Sequence, residues 1–181
     1  MAKKEKFNSS NVFGLLRLTL GLIFLWAFAD KWLGLGFSTC FNKKTGMTDM
    51  LCDQSVLGGH SSTFDFLNNL PKDNLFYDFF HGLATNPMAD FLFMFALMIL
   101  GVALTLGVLV RVASVIGILL LATMWASLLN LNGGTENPLL DYHVVYALAL
   151  VGIYMTNKDQ KYGIGKWWQS QDIVKKNKWL E

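Results

Sequence analysis

The sequence predicts an all-α membrane protein: a four-transmembrane-helix bundle with N and C termini cytoplasmic and a long extracytoplasmic loop containing a short amphipathic helix. Three observations carry that prediction. Only 15% of the 181 residues are charged while 53% are hydrophobic, whereas soluble domains average about 25% charged. Two apolar runs, Ala89 to Val110 and Val112 to Leu131, hold one ionisable group between them, Asp90 at the start of the first. Each is long enough to cross roughly 30 Å of hydrocarbon. Lysine and arginine, finally, gather at the chain termini and at the turn between these runs.

Composition removes the other classes. Three prolines, two cysteines and sixteen glycines without a period exclude a disordered chain, a fibrous repeat and a disulfide scaffold. A net charge of +2 makes no case for nucleic acid, and the partner implied is the lipid bilayer. The chain reads as one membrane domain over 1–181.

The first span covers about residues 12–36 and contains Arg17, Asp30 and Lys31. Basic Met1 to Lys6, the apolar run Leu18 to Trp26 and Ala27-Phe28-Ala29 also fit a cleaved signal peptide. Apolar character resumes at Trp32 to Phe37, which favours a retained span. The outer loop, about 38–87, is too long for a connector and too aromatic for disorder. Within it Phe76, Phe79, Phe80 and Leu83 fall at i, i+3, i+4 and i+7. That spacing predicts a short amphipathic helix on the outer interface or folded over the bundle, with Pro71 near its start. Cys40 and Cys52 both lie here, where an oxidising exterior would join them in a disulfide. No CxxC or histidine spacing gives them a metal. His60 and His81 read as surface loop residues.

Spans two and three cover about 88–110 and 112–131. Ala103 and Gly107, then Ala113, Gly117, Ala122 and Ala126, recur at four-residue spacings that favour a tight hairpin of these two spans. The fourth span, about 138–156, has Asp141 and His143 in its first turns. Asn86-Pro87 and Asn137-Pro138 place a capping side chain before a first-turn proline, so spans two and four would begin on the same side. Lys3, Lys4 and Lys6 precede span one, Arg111 sits in the turn after span two, and Lys158, Lys161, Lys166, Lys175, Lys176 and Lys178 follow span four. The positive-inside bias puts those segments in the cytoplasm, with a tail at 157–181 whose Trp167, Trp168 and Trp179 suit anionic headgroups. The long first loop and the Asn132 to Asn137 loop then face outward.

Ionisable groups entering the apolar layer are where chemistry is expected. Arg17 and Arg111, near the cytoplasmic face, fit snorkelling anchors. Asp30, Lys31, Asp90, Asp141 and His143 would lie at similar depth near the outer face. Lys31 could pair inward with Asp141 or Asp90. Trp26 lies one turn below Asp30, Trp125 near the outer end of span three, and Tyr142 and Tyr146 share a face of span four. Together these describe either an aromatic pocket with convergent polar groups or an interfacial belt of Trp and Tyr with helix-terminal acids.

Arg17 to Gly36 (RLTLGLIFLWAFADKWLGLG), the Gly107 to Ala113 turn around Arg111, and Asn137 to Trp168 (NPLLDYHVVYALALVGIYMTNKDQKYGIGKWW) resemble the DoxX/DoxD-like membrane proteins over most of the chain outside the outer loop. The motifs are an arginine in span one, a small residue then a lysine near its end, and an arginine after span two. Where the family often has glycine before that lysine, this chain reads Ala27 to Asp30. The resemblance implies a prokaryotic four-helix protein of the cell membrane. DoxD-like members are associated with thiosulfate:quinone oxidoreductase, in which a membrane subunit works with a smaller partner. On that resemblance Arg17, Lys31 and Arg111 are the family-matching cations.

Two classes of function follow. One is a redox subunit exchanging electrons and protons with quinone near the outer leaflet, with Lys31, Asp141 and His143 as its reactive groups. It carries no covalently bound cofactor, metal, flavin or nucleotide signature, and only His143 lies in a span, against a bis-histidine haem. Electrons would come from a second subunit. Outward Asp49, Asp53, Asp65, Asp73, Asp78 and Glu136 outnumber Lys43, Lys44 and Lys72, a face that repels a divalent anion such as thiosulfate. The other class is a non-enzymatic scaffold, assembly factor or small carrier, acting with a partner or as a homo-oligomer.

Overall fold

Asn8 opens α1 (Ser9–Leu33) by accepting from the Asn11 amide at 3.3 Å, and Gly34 ends it in the left-handed region at φ 67°. The computed structural model describes residues 8–130, 137, 139–157 and 161–181. Expectations placed on Lys3, Lys4, Lys6, Glu136, Pro138, Lys158 and the loop at 131–136 lie outside these residues.

After α1 come a two-residue hairpin, β1 (Phe41–Asn42) with β2 (Met47–Thr48), and two short helices, α2 (Phe64–Asn68) and α3 (Tyr77–Leu83). Asn86 then caps α4 (Pro87–Leu106) by accepting from Met88 at 2.9 Å, with Pro87 in its first turn. Gly107 stops α4 at φ 78°, and after a short turn α5 (Val110–Leu128) runs back. The last long element, α6 (Tyr142–Thr156), begins later than the Asn137-Pro138 pair suggests. Asp141 accepts from the His143 and Val144 amides at 3.0 and 3.3 Å, whereas Asn137 closes a separate turn by accepting from Leu139 and Leu140. A carboxylate satisfying two first-turn amides sets the start. The tail forms α7 (Gly165–Gln169), α8 (Asp172–Lys176) and a 3₁₀ turn at Lys178–Leu180.

α1, α4 and α5 are long and apolar enough to cross a membrane, and α6 is a shorter apolar helix. Each of the three long helices buries a third or less of its most apolar stretch. Leu22, Leu92, Leu119, Val145 and Leu148 are each more than half exposed. Helices that remain apolar on their outer face suit a lipid solvent and not water. The ends of the bundle differ: one carries the start of α1 and the tail, the other the loop between α1 and α4.

Close packing follows glycine, but not in the hairpin that the small-residue spacing favours. α1 lies most extensively on α4, and α5 on α6. A Cβ on Gly21 would come within 2.6 Å of the Thr105 amide nitrogen, and one on Gly101 within 2.7 Å of Leu25 Cα. These two glycines therefore bring the α1 and α4 backbones together. Gly107 terminates its helix, and a Cβ on Gly117 would meet Leu150 of α6 and Leu100 of α4. The core between the helices is Leu20, Phe24, Leu97, Leu100, Leu104, Leu121, Leu150 and Ile153. Gly101→Val, overpacking against backbone, is expected to cost about 3 kcal/mol. A thermal melt in detergent reads it, and an unchanged melting temperature would mean that the helices are not this close.

The loop is a fitted cap. Cys40 and Cys52 form a disulfide, and Gly34 packs so closely that a Cβ there would lie 2.3 Å from Cys40 Sγ. The Leu51, Val56 and Leu57 amides bond the Leu33, Lys31 and Trp32 carbonyls at 2.9, 3.0 and 3.3 Å. These groups lack intrahelical partners at a helix C-terminus, and the loop supplies them. Asn74 does the same for α5, its Nδ2 donating to the Ser127 carbonyl at 2.8 Å.

Near α3 the face is rotated from the expected one. Phe80 and Ala84 are buried with Leu67 and Leu70, with Tyr77 and Leu83 packed against them, while Phe76 and Phe79 are exposed. Pro71 does not start this helix. It opens a turn in which its carbonyl accepts from Asn74, whose Oδ1 then accepts from the Phe76 amide at 2.7 Å.

Candidate functional site

The ionisable groups of the apolar layer do not converge on one pocket. Asp30 is 1% exposed and faces the loop: Oδ1 accepts from the Phe37 amide at 2.9 Å, and Oδ2 from the Ser38 amide at 2.9 Å and hydroxyl at 2.7 Å. Asp90 likewise accepts from the Ser62 hydroxyl at 2.6 Å and the Thr63 amide at 3.1 Å. Among the described residues Lys31 makes no close ion pair with Asp141 or Asp90; its Nζ lies 5.9 Å over the Phe93 ring, with the Asp30 and Asp90 charges near enough to act on it. Adjacent helical residues diverge by about 100°, so Asp30 and Lys31 meet different neighbours.

Depth separates the remainder. Gly152 packs against Phe13, and counting along both antiparallel helices from that contact places His143 level with Leu22, roughly two turns short of Asp30. Trp26 is 49% exposed and meets Phe37 edge-on at 6.4 Å between ring centroids, about one turn from the level of His143.

What α5 and α6 do assemble is smaller. His143 is 1% exposed, and its Nδ1 lies 2.6 Å from Asp141 Oδ2. With Nδ1–H held by the carboxylate, Nε2 carries a lone pair in the neutral ring and a proton in the charged one, and among the described residues Nε2 is buried without a partner. The Gly117 to Leu150 contact sets the α5 to α6 register, and the same count from it brings Trp125 level with Tyr142 and His143. Trp125 Nε1 is also buried without a partner. Two ring nitrogens, both unsatisfied among the described residues, thus lie at one level of the bundle. Tyr142 packs on His143 at 4.1 Å between ring centroids and on Tyr146 at 5.9 Å. Two buried polar atoms without partners are exceptions of the kind that ligand sites supply.

The terminal end holds the group that sequence reasoning placed wrongly. Arg17 does not snorkel to a surface: it is 1% exposed. Nη1 donates to the Leu104 carbonyl in the last turn of α4, and Nη2 to the Tyr162 carbonyl at 2.7 Å and the Lys161 carbonyl at 3.4 Å. Tyr162 at φ 74° and Gly163 at φ 82° turn the tail so that its carbonyls face the guanidinium. Glycines make room, since a Cβ on Gly107 would lie 2.7 Å from Arg17 Nη1 and one on Gly165 2.5 Å from the Gly107 carbonyl. Arg111 fastens the rest of the tail, its Nη2 lying 3.1 Å from Glu181 Oε2 and its guanidinium 5.7 Å from the Tyr154 ring.

His60 pairs with Asp65 at 3.0 Å and His81 stacks on Tyr77 at 5.0 Å, both within the loop. The residues missed by sequence reasoning are Ser38, Ser62 and Thr63, which receive the acids, and Asn157 and Tyr162, which surround Arg17. The GIG run at Gly163 to Gly165 was the available signal for the turn at Tyr162. Comparison of the chain with family models, curated proteins and solved structures finds no match to any of them.

Proposed function

We propose that the chain is a four-span membrane protein of the DoxX/DoxD-like kind, with both termini cytoplasmic, that serves a quinone-linked redox system of a prokaryotic cell membrane. The observation that carries the redox reading is His143: buried, oriented by Asp141, with Nε2 free and the Trp125 indole N–H free at the same level. Quinone reduction consumes two electrons and two protons. His143 Nε2 moves a proton to or from a quinone oxygen, Asp141 holds the imidazole in the tautomer that allows it, and Trp125 donates a hydrogen bond to a carbonyl oxygen. Both electrons come from a redox partner subunit and the second proton from water. Lys31, over the Phe93 ring, leaves the reactive set and keeps the role of a positive charge near the loop end.

As a fourth span, α6 is about 22 Å long, and the exposed Leu139 and Leu140 before it extend the apolar surface. Trp167 and Trp179 exposed beside Lys166, Lys175 and Lys176 suit the cytoplasmic headgroup layer. The scaffold reading has its own support: Arg17, Asp30, Asp90 and Arg111 all tie loop or tail to the bundle.

The test is tryptophan quenching by a short-chain benzoquinone in nanodiscs carrying the full chain. Saturable quenching that Trp125→Phe reduces, and that His143→Gln weakens about tenfold at an unchanged melting temperature, supports the redox reading. Absence of quenching, and of quinone in extracts of the gently purified protein, leaves the scaffold.

A further inference from the structure

A cleft whose enclosed part is small, about 10 Å³, and whose mouth is open to solvent lies at the terminal end and is lined by Arg17, Gly107, Asn157, Tyr162, Gly165 and Lys166. We infer that this cleft is a binding site for a phosphate-type oxyanion, either free inorganic phosphate or the phosphodiester of an inner-leaflet phospholipid headgroup. It is independent of the quinone reading, which concerns the opposite end of α5 and α6.

Charge is the first reason. Arg17 is buried, and no carboxylate pairs with it among the described residues. Buried charges are normally paired because an isolated one is costly to desolvate. Three carbonyls surround the guanidinium, and the Leu104 carbonyl brings the negative end of the α4 dipole, equivalent to roughly half a charge. The cage thus leaves net positive charge beside the cleft.

Donor geometry is the second. Three of the five N–H groups of Arg17 are taken by carbonyls, which leaves two. Asn157 is 5% exposed, lines the same cleft, and its Nδ2 is buried with no partner. Lys166 contributes a second cation at the mouth. Guanidinium, amide and ammonium donors around one opening suit a tetrahedral oxyanion, which offers only acceptors. A neutral or cationic ligand would leave Arg17 uncompensated. Exposed Trp167 beside the site places it at the height of headgroups if α1 and α4 span the bilayer.

The discriminating variant is Asn157→Asp, which sets a carboxylate where the anion would sit. Full-length protein, delipidated in a neutral maltoside detergent, is melted in sodium phosphate and in sodium chloride of equal ionic strength. In parallel, bound phospholipid is counted by native mass spectrometry after incubation with phosphatidylglycerol. If free phosphate is the ligand, it raises the melting temperature of the parent saturably, by about 5 °C at a hundredfold excess over Kd. Asn157→Asp then melts at or above the parent without phosphate and loses the increment. If the headgroup is the ligand, phosphate alone does little, the parent retains phosphatidylglycerol, and Asn157→Asp releases it. Lys166→Gln, at an exposed side chain, should weaken either ligand severalfold and serves if Asn157→Asp fails to fold. No phosphate increment and no retained lipid in the parent, or binding that both variants leave intact, overturns the proposal.

Discussion

Arg17→Leu is expected to destabilise the protein by about 3 kcal/mol and to free its C-terminal tail. Leucine removes a desolvated charge, which is favourable, but strands the Leu104, Tyr162 and Lys161 carbonyls that the guanidinium satisfies. A buried polar group left without a partner costs about 1–3 kcal/mol, so the three together outweigh the relief. Arg17→Lys should recover little, because an ammonium cannot fork between carbonyls arriving from α4 and from the tail. Melting combined with limited proteolysis at Lys166, Lys175 and Lys176 reads both effects. A melting temperature within about 2 °C of the parent, with tail lysines still protected, would show that Arg17 does not hold the tail.

Asp30→Asn should cost nearly as much, about 2–3 kcal/mol, at the other end. The carboxylate accepts on both oxygens, one from Phe37 and the other from Ser38 twice. An amide of the same shape turns one acceptor into a donor facing another donor, whichever way it flips. Ser38→Ala removes only the hydroxyl bond and should cost about 1 kcal/mol. Hydrogen exchange of the Phe37 and Ser38 amides localises the effect. Equal exchange in parent and Asp30→Asn would assign these amides to another acceptor.

Much of the architecture was legible because it depends on local signals. Apolar runs marked α1, α4 and α5, and Asn86-Pro87 marked the start of α4. Helix ends were read too long where a left-handed residue intervenes, at Gly34 and Gly107, since apolar character continues past the point at which the backbone turns. Asn137-Pro138 misled because Asp141, four residues on, offers the stronger cap. The ionisable residues were picked correctly as unusual, but their partners were not legible. Asp30 bonds Ser38, Asp90 bonds Ser62, and Arg17 bonds Tyr162, which lies 145 residues away. Depth was counted from span ends, and α6 begins at Tyr142 and has 15 residues against 25 in α1, which sets His143 deeper than Asp30.

The pairing of α1 with α4 sets an order of events during synthesis. Gly21 packs on Thr105 and Gly101 on Leu25, each contact spanning about 80 positions of chain, and at about 5–20 residues per second a ribosome needs about 4–16 s to make that interval. For that time the glycine face of α1 has no neighbour, and Asp30 has no amides until residues 37 and 38 fold back. α1 must therefore wait with a bare groove and an unanswered carboxylate at its end until α4 is made. Whatever accompanies it through that wait, lipid or insertion machinery, meets a surface that the finished protein no longer displays.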